Sequence, residues 1–245
     1  MKILSILLFA AVAFMACSCD CEKCDDASNV AGGCDKCDGT SAIVGDTFTD
    51  ARDGNKYKVV TIGLQTWMAE NLNYKVDNSY CYNDDPANCK KYGRLYTWAA
   101  SRGKSESECG PGRRCGSIGK LRGICPQGWH LPSGEEFEIL LNSGEDGWDF
   151  ENHFEYLMST TGGWVGCGTQ DIVGFSALPA GHYSYDAETK KGHYVDEGHY
   201  TGFWLSNDGR DEADFSFSFL RLECNQRVEF SDEEYDRLSV RCVLD

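Results

Sequence analysis

The sequence predicts an α+β fold in which short helices come first and strands follow. Before residue 160, apolar residues recur at the three- and four-residue spacing of helices. After it, the chain consists of short alternating runs rich in aromatic residues and glycine, a pattern typical of strands. This separation favours an α+β domain over alternating βα units. With 245 residues, 41% of them hydrophobic, the chain is long enough for one well-packed domain.

The domain, which we place at residues 46–245, is predicted to begin with a hairpin. Thr47–Thr49 and residues 57–62 have the composition of strands. Asp53-Gly54 between them is a strong hairpin signal, because the tight turn requires positive φ. Residues 95–100 then carry apolar side chains at helical spacing, so we expect a short helix there.

A better-defined helix is expected after Ser133. Ser133 and Glu136 form the Ser-x-x-Glu pattern of a capping box, and apolar residues at helical spacing follow. We therefore predict a helix over Gly134–Leu141. A weaker pattern at residues 154–158 indicates a third short helix, which a pair of glycines ends.

The second half of the domain is predicted to form a small, irregular antiparallel sheet. Short runs of apolar and β-branched residues alternate with loops, as is usual in such sheets. We expect strands at residues 172–178, 203–206, 215–222 and 237–243.

The first seventeen residues predict export. A basic start precedes an apolar run at residues 3–14, which is shorter than the about 20 residues of a membrane span. We expect residues 1–16 to be a lipoprotein signal peptide, with a plainly cleaved signal as the alternative. The end of this segment resembles a bacterial lipobox, although Phe14 replaces the usual leucine, so acylation is expected at Cys17. Ser18 rather than aspartate comes next, which favours the outer membrane, at the cell surface or the periplasmic face.

Residues 17–45 are predicted to be a polar tether. They are rich in Cys, Asp, Gly and Ser and have too few large apolar residues to bury a core. Four thiolates in two Cys-x-x-Cys pairs could bind zinc, but in an oxidising compartment local disulfides are the preferred interpretation. The two pairs are Cys21 with Cys24 and Cys34 with Cys37.

The charge balance argues against nucleic acid as a partner. Lysine and arginine total 23 against 39 aspartates and glutamates, so the net charge is -16, which repels phosphate backbones. The same charge opposes adhesion to an anionic membrane, so we expect membrane attachment only through the lipid anchor. A well-solvated surface explains the charge, and a surface that collects divalent cations is the alternative.

The 14 cysteines of an exported chain predict a disulfide framework. An even number of them lies in the domain, which suits a closed set of bridges. The domain cysteines are Cys81, Cys89, Cys109, Cys115, Cys125, Cys167, Cys224 and Cys242.

Seven segments, in a fixed order, resemble one bacterial family. They are GLQTWMAENLNY at 63–74, CYNDDPANC at 81–89, YGRLYTW at 92–98, CPQGWHLP at 125–132, GFSALP at 174–179, FWLS at 203–206 and SVRCV at 239–243. Over residues 46–245 the chain resembles the Fibrobacter succinogenes major paralogous domain, a family of secreted and lipid-anchored proteins. The resemblance implies a fold similar to the C-type lectin and formylglycine-generating enzyme superfamily. It implies no activity, because the family has none established.

The resemblance also implies disulfide pairings. A lectin-like domain would join the region before the capped helix to the last strand, and a second bridge would close a small loop around residues 84–86. The two implied pairs are Cys125–Cys242 and Cys81–Cys89. The other domain cysteines are then left to pair as Cys109–Cys115 and Cys167–Cys224, although other connectivities stay open.

The stretch from residue 181 to residue 203 is rich in tyrosine and histidine, which suits a glycan-binding surface. Aromatic rings stack on sugar faces, and histidines and carboxylates bind hydroxyl groups. Three histidines could instead bind zinc, and a solvent-facing hairpin with its turn at residues 190–192 is the simplest alternative. The candidate ligand-binding residues in and beside this stretch are His182, Tyr183, Tyr185, Tyr194, Tyr200 and Trp204.

A calcium site is a weaker expectation from the resemblance. In calcium-dependent lectins a Trp-Asn-Asp segment supplies metal ligands, and Trp204, Asn207 and Asp208 stand at a comparable place. Two residues separate the tryptophan from Asn207, and the companion loop motif is missing from the sequence, so the lectin site does not transfer whole. We expect no cofactor, with Ca²⁺ as the alternative, keep Asn207 and Asp208 as candidate ligand-binding residues, and interpret residues 207–209 otherwise as a tight turn.

Catalysis is not expected. His130, a tempting base, is interpreted as a structural residue at the start of the capped helix. Acidic pairs such as Asp84-Asp85 and residues 232–234 could serve glycoside hydrolysis, but carboxylates are abundant in this chain. Formylglycine-generating enzymes use a pair of cysteines, whereas bridges accommodate all the domain cysteines here.

The sequence therefore predicts a lipid-anchored binding or adhesion module at the cell surface or facing the periplasm. Its ligand would be a polysaccharide or a surface protein. A structural envelope protein without a ligand is the first alternative, and an oxidoreductase or hydrolase on the same scaffold is the second.

Overall fold

The computed structural model describes residues 42–111, 113, 115, 119–143, 154–186, 189–208, 217–223, 229–231 and 237–245. All of them belong to the unit Thr40–Asp245. The expected signal peptide, Cys17, the tether cysteines, Cys224 and the acidic run 232–234 lie outside the described residues. Within the described residues, the structure has no helix with the length and apolar character that a bilayer span requires.

Short strands dominate the described part of the chain. In chain order they are β1 (Ala42–Val44), β2 (Thr47–Thr49), β3 (Lys56–Ile62), β4 (Gln65–Met68), β5 (Ser79–Tyr80), β6 (Leu95–Tyr96), β7 (Trp129–His130), β8 (His182–Asp186), β9 (Lys191–Val195), β10 (Tyr200–Asp208), β11 (Phe217–Glu223), β12 (Glu229–Ser231), β13 (Leu238–Ser239) and β14 (Val243–Leu244). One sheet has the order β1-β2-β3-β4-β14-β7, and a second has the order β12-β11-β10-β13-β6-β5. β8 and β9 form a separate hairpin.

The hairpin predicted at the start of the domain is confirmed. β2 and β3 pair antiparallel with Phe48 opposite Tyr57. In the turn, Gly54 has a φ of 77°, and its N–H donates to the carbonyl of Asp50 over 2.7 Å. β1 precedes this hairpin and pairs with β2, so regular structure begins inside the range 17–45 that was expected to be a tether.

The last strand, β14, is an inner strand of the first sheet, next to the edge strand β7. β14 pairs antiparallel with β4 on one side and with β7 on the other, so Val243 lies opposite both Trp67 and His130. In the second sheet, β10 pairs with β13 in parallel, with Phe203 opposite Ser239. The sheet predicted to be antiparallel is therefore mixed.

Four short α-helices are present in the described residues, together with two 3₁₀ turns, Tyr82–Asp84 and Phe154–Tyr156. The α-helices are α1 (Pro86–Tyr92), α2 (Trp98–Ser101), α3 (Glu106–Cys109) and α4 (Gly134–Leu141). α4 has the predicted bounds and the predicted capping box, in which Ser133 Oγ accepts from the N–H of Glu136. The α+β class is confirmed, with more helices than the two or three expected.

The helix predicted at residues 95–100 is only partly correct, because its first two residues form a strand. β6 occupies Leu95–Tyr96, and α2 begins only at Trp98 because Thr97 caps it. The hydroxyl oxygen of Thr97 accepts from the N–H of Ala100 over 3.3 Å. The weaker helix expected at residues 154–158 is a single 3₁₀ turn.

The strand predicted at residues 172–178 is wrong. Asp171 and Ser176 have φ values of 47° and 54°, which belong to the left-handed region and break an extended chain. The carboxylate of Asp171 accepts from both the N–H and the hydroxyl of Ser176, at 2.8 and 2.5 Å, and stabilises this bend. Ala177 alone forms a bridge, with Met158.

The other late strands exist with different bounds. β10 extends beyond the predicted range 203–206 and includes the positions expected as a turn at 207–208. The predicted strand 237–243 is divided into β13 and β14. β9 begins at Lys191, so two of the three residues predicted as the hairpin turn, 190–192, belong to the strand.

Disulfides and large aromatic residues hold the domain together. The structure contains the expected pairs Cys81–Cys89, Cys109–Cys115 and Cys125–Cys242. Cys167 is also disulfide-bonded. The largest buried rings belong to Trp67, Trp129 and Trp204.

Candidate functional site

Arg237 lies at the centre of a partly exposed group of tyrosines. Its guanidinium carbon is 3.6 Å from the ring centre of Tyr80 and 3.7 Å from that of Tyr183. Its Nη1 donates to the hydroxyl of Tyr194 over 3.2 Å, and that hydroxyl donates to Oδ1 of Asp84 over 2.8 Å. We refer to Tyr80, Asp84, Tyr183, Tyr194 and Arg237 as the Arg237 cluster.

The β8–β9 hairpin supplies the two central rings of the cluster. Tyr183 and Tyr194 are cross-strand partners, and their ring centres are 5.0 Å apart in an edge-to-face arrangement. Gly192 leaves room for this arrangement, because a Cβ on it would lie 2.2 Å from the hydroxyl oxygen of Tyr183. Tyr185, two positions after Tyr183, faces the same side of the hairpin and is 46% exposed.

A disulfide-closed loop supplies the carboxylate. Cys81 and Cys89 close it, and within it Asn83 and Asp84 both have positive φ, at 54° and 56°. Such backbone conformations are uncommon outside glycine and cluster at functional sites. Burial, reinforced by the hydrogen bond to Asp84, raises the pKa of Tyr194 to about 12, so its hydroxyl keeps its proton at neutral pH.

Arg94 links this disulfide-closed loop to β5. Its Nε and Nη2 donate to the hydroxyl and the carbonyl of Ser79, at 2.9 and 2.7 Å. Its Nη1 lies 3.3 Å from Sγ of Cys89 and 3.8 Å from Sγ of Cys81. One guanidinium thereby holds the disulfide against β5, the strand that carries Tyr80.

The cluster can recognise a polar ligand that has a flat apolar face. It offers the exposed carboxylate of Asp84 as an acceptor and the guanidinium of Arg237 as a donor. The ring of Tyr185 adds an exposed aromatic surface on the same side. Aromatic surface beside a few fixed polar groups is the usual composition of a small-ligand site.

Three of the predicted ligand residues do not reach this surface. Trp204 is completely buried, and its Nε1 donates to the carbonyl of Tyr96 over 2.8 Å. Tyr200 and His182 are also buried, with ring centres 4.8 Å apart. Trp204 and Tyr200 pack in the interior because β10 is a central strand of its sheet, and His182, on β8, packs against Tyr200. We exclude all three from the ligand surface.

The described residues provide no donor set for the zinc and calcium alternatives. Among the described residues, no group of three or more histidine, cysteine, aspartate or glutamate side chains is arranged to hold a metal ion. His182 is buried, whereas His193 and His199 are exposed. Asn207 and Asp208 end β10, and their side chains lie outside the described part of the structure.

His130 is a buried link between a helix and the last strand. Its Nε2 is 2.7 Å from a carboxylate oxygen of Glu136, and its Nδ1 is 2.8 Å from one of Asp245. Burial raises the pKa of Glu136, but hydrogen bonds with His130 and Ser133 outweigh it and leave that pKa below its ordinary value. This geometry supports the structural role expected for His130.

No reduced cysteine pair is available for thiol chemistry in the described residues. Each described cysteine is in a disulfide; these are Cys81, Cys89, Cys109, Cys115, Cys125, Cys167 and Cys242.

Sequence reasoning missed two members of the cluster, Tyr80 and Arg237. Asp84 was noted only as part of an acidic pair, and Arg237 only as the start of a predicted strand. Arg237 reaches the hairpin through an antiparallel bridge to Tyr183, a contact between distant parts of the chain. A lone basic residue just before the last motif was the only local signal for it.

Comparison with known proteins places the chain in a family. The family model of the Fibrobacter succinogenes major domain matches residues 60–244, well over half of the chain. No curated protein and no solved structure matches it. The matched range contains the disulfide loop, the β8–β9 hairpin and Arg237. The chain therefore belongs to the Fibrobacter succinogenes major domain family.

Proposed function

We propose that this protein is an exported binding module that holds polysaccharide at the Arg237 cluster. The observation that carries the proposal is the convergence of three distant segments on one partly exposed surface. The disulfide loop brings Asp84, the hairpin brings Tyr183 and Tyr194, and the segment before β13 brings Arg237. A surface that served only to be solvated would not need this fixed set of aromatic and charged groups.

The chemistry of the surface favours sugars among polar ligands. A sugar ring has an apolar face, which the exposed ring of Tyr185 can cover, and a rim of hydroxyl groups. Hydroxyl groups can donate to the carboxylate of Asp84 and accept from the guanidinium of Arg237. Binding to a surface protein remains the other expected use of such an aromatic surface.

The fold that we propose for the domain is C-type lectin-like. Two features support it: β14 lies between β4 and β7 in the first sheet, and the Cys125–Cys242 bridge joins the segment before α4 to the segment before β14. In such a scaffold, loops and hairpins outside the paired terminal strands carry the binding residues. The β8–β9 hairpin would have that position here.

We also propose that Cys17 carries lipid and anchors the protein in the outer membrane, at the cell surface or the periplasmic face. The disulfides of the domain support export, because such bridges form and persist in oxidising compartments. The net charge of -16 makes a lipid anchor the expected means of membrane attachment. Export would place the cluster where polysaccharides occur. We propose no catalytic step.

Retention on insoluble polysaccharides tests this function. The full chain would be incubated with cellulose, chitin, xylan and calcium pectate, alongside Tyr185→Ala and Leu64→Ala variants. We expect retention on at least one polymer, with Tyr185→Ala weakening it about tenfold because an exposed stacking ring is lost.

Leu64→Ala is the matched control, because it removes an apolar side chain that is 101% exposed on the β3–β4 turn. It should leave retention unchanged. Failure of every polymer to retain the chain would contradict a polysaccharide-binding function, and equal retention of both variants would contradict the site.

A further inference from the structure

We infer that the group bound by Arg237 is the carboxylate of a uronic acid, and that the ligand is an acidic polysaccharide. This inference rests on the proposed polysaccharide-binding function and specifies its ligand class. It follows from how the guanidinium is held, which donors it has left and what surrounds it.

The plane of the Arg237 guanidinium is fixed by its neighbours. The rings of Tyr80 and Tyr183 lie 3.6 and 3.7 Å from its central carbon. The backbone carbonyl of Arg237 accepts from the N–H of Tyr183 over 3.3 Å, which anchors the base of the side chain to β8. Because the plane is already held, a ligand that binds its edge costs little further side-chain entropy.

The edge of this guanidinium retains donors. A guanidinium has five N–H groups. Within the described part of the chain, the one acceptor recorded for them is the hydroxyl of Tyr194. Two parallel N–H groups on a fixed plane match the two oxygens of a carboxylate, which makes the contact bidentate and charge-assisted.

Within the Arg237 cluster, Arg237 is the cation that an acidic ligand would contact. Lys91, in α1, is 3.6 Å from a carboxylate oxygen of Glu197. The overall charge of -16 opposes an acidic polymer, but salt screens charges more than about 8 Å apart at physiological ionic strength. A short contact with Arg237 therefore decides the binding more than the distant surface charges do.

The same surroundings favour a sugar acid over an acidic peptide. Asp84 is exposed, and its carboxylate, which accepts from the hydroxyl of Tyr194, can also accept from a hydroxyl group of the ligand. A uronic acid presents a carboxylate and hydroxyl groups on one ring, and its apolar face suits the exposed ring of Tyr185. A run of acidic side chains presents no such hydroxyl groups.

Binding to a matched pair of polymers tests the inference without any variant. Titration calorimetry of the full chain with polygalacturonate, and with the same polymer as its methyl ester, compares a charged carboxyl group with a neutral one on the same sugar chain. We expect binding to polygalacturonate to be at least about tenfold tighter, since hydrogen bonds to a charged group are the strong ones.

Arg237→Lys then tests the residue. It keeps the charge but loses the planar edge, so we expect affinity for polygalacturonate to fall about tenfold, while affinity for the ester changes little. Arg122→Lys makes the same change at an exposed arginine in the segment before Cys125 and should bind like the wild type. Thermal unfolding of each variant checks that the fold is retained.

The outcomes separate the ligand class from the function. Equal affinity for the two polymers, or retention only on neutral polysaccharides, would overturn the uronic acid inference and leave polysaccharide binding standing. Failure to bind any polysaccharide, charged or neutral, would overturn both. Tight binding to polygalacturonate that Arg237→Lys does not weaken would overturn the assignment to Arg237.

Discussion

The guanidinium of Arg241 donates two hydrogen bonds, of 2.8 and 3.1 Å, to the same amide oxygen of Asn71. Arg241 is completely buried, and its Nη1 and Nη2 also donate to the carbonyls of Phe175 and Ser176. Burial lowers the pKa of Arg241 to about 9, so the side chain is charged at neutral pH. One asparagine thus joins the first and last family segments across 170 positions and satisfies a buried cation.

Replacing Asn71 by alanine should therefore destabilise the domain strongly. Arg241 would lose the acceptor of two charged hydrogen bonds while it stayed buried, which costs about 3–5 kcal/mol of the free energy of unfolding. Urea unfolding measures this loss. Asn142→Ala, at the exposed end of α4, is the control and should cost less than about 1 kcal/mol. Equal losses in the two variants would show that the Asn71–Arg241 contact contributes little.

Gly192→Ala should weaken ligand binding while the core stays intact. The new Cβ would lie 2.2–2.3 Å from atoms of the Tyr183 ring, so the ring must leave its position beside Arg237. We expect at least about a tenfold loss of polysaccharide affinity, with little change in the denaturant midpoint, because Tyr183 is only partly buried. Gly168→Ala, where a Cβ meets no atom within 4 Å, is the matched control. Undiminished binding by Gly192→Ala would argue against the packed Tyr183 ring.

Removing the two disulfides separately should have different effects on the stability of the domain and on its affinity for polysaccharide. In the chain-entropy model, removing Cys81–Cys89, with a separation of 8, costs about 2–3 kcal/mol, and removing Cys125–Cys242, with a separation of 117, costs about 4–5 kcal/mol. Only the small loop carries Asp84, so the Cys81→Ala/Cys89→Ala variant should lose polysaccharide affinity at temperatures where it is folded.

Parallel unfolding and binding measurements on both double variants check this prediction. If loss of the small loop left affinity unchanged in a folded protein, Asp84 would not be part of the site.

Acid should destabilise the domain through His182. Burial lowers its pKa from 6.5 to about 4, and the carboxylate of Asp196, 3.9 Å from Nδ1, offsets this only in part. Between pH 4 and pH 6.5, His182 binds a proton in the unfolded chain but not in the folded chain. The contribution of His182 is therefore present above pH 6.5 and is lost as the pH falls towards 4, by up to about 3 kcal/mol.

Urea unfolding at several pH values measures this slope. His182→Phe, which keeps a ring against Tyr200, should flatten it, whereas His199→Gln, at an exposed position, should retain it. An unchanged slope in His182→Phe would assign the acid sensitivity to other groups.

Local polar signals made part of the fold predictable. Asp53-Gly54 and Ser133 fixed the first hairpin and the start of α4, because a tight turn and a helix cap each depend on a few neighbouring residues. The same kind of signal explains two errors. The cap at Thr97 divides a run of apolar residues, and the left-handed Asp171 breaks a run with strand character.

Long-range pairing was not predictable from the sequence pattern. Trp204 and Tyr183 both lie on strands rich in aromatic residues, and only the sheet order makes Trp204 internal. Tyr183 and Tyr194 could be proposed because both lie in one aromatic stretch. Tyr80 and Arg237 could not, because their contacts with that hairpin join distant parts of the chain.

Hydrogen–deuterium exchange of the full chain, with and without polygalacturonate fragments, shows whether the ligand binds at the Arg237 cluster. We expect the ligand to slow amide exchange in the β8–β9 hairpin, in the loop closed by Cys81 and Cys89, and at the residues that follow Arg237. Protection confined to other regions, such as the β3–β4 turn and α4, or no protection at all, would contradict the assignment of the Arg237 cluster as the binding surface.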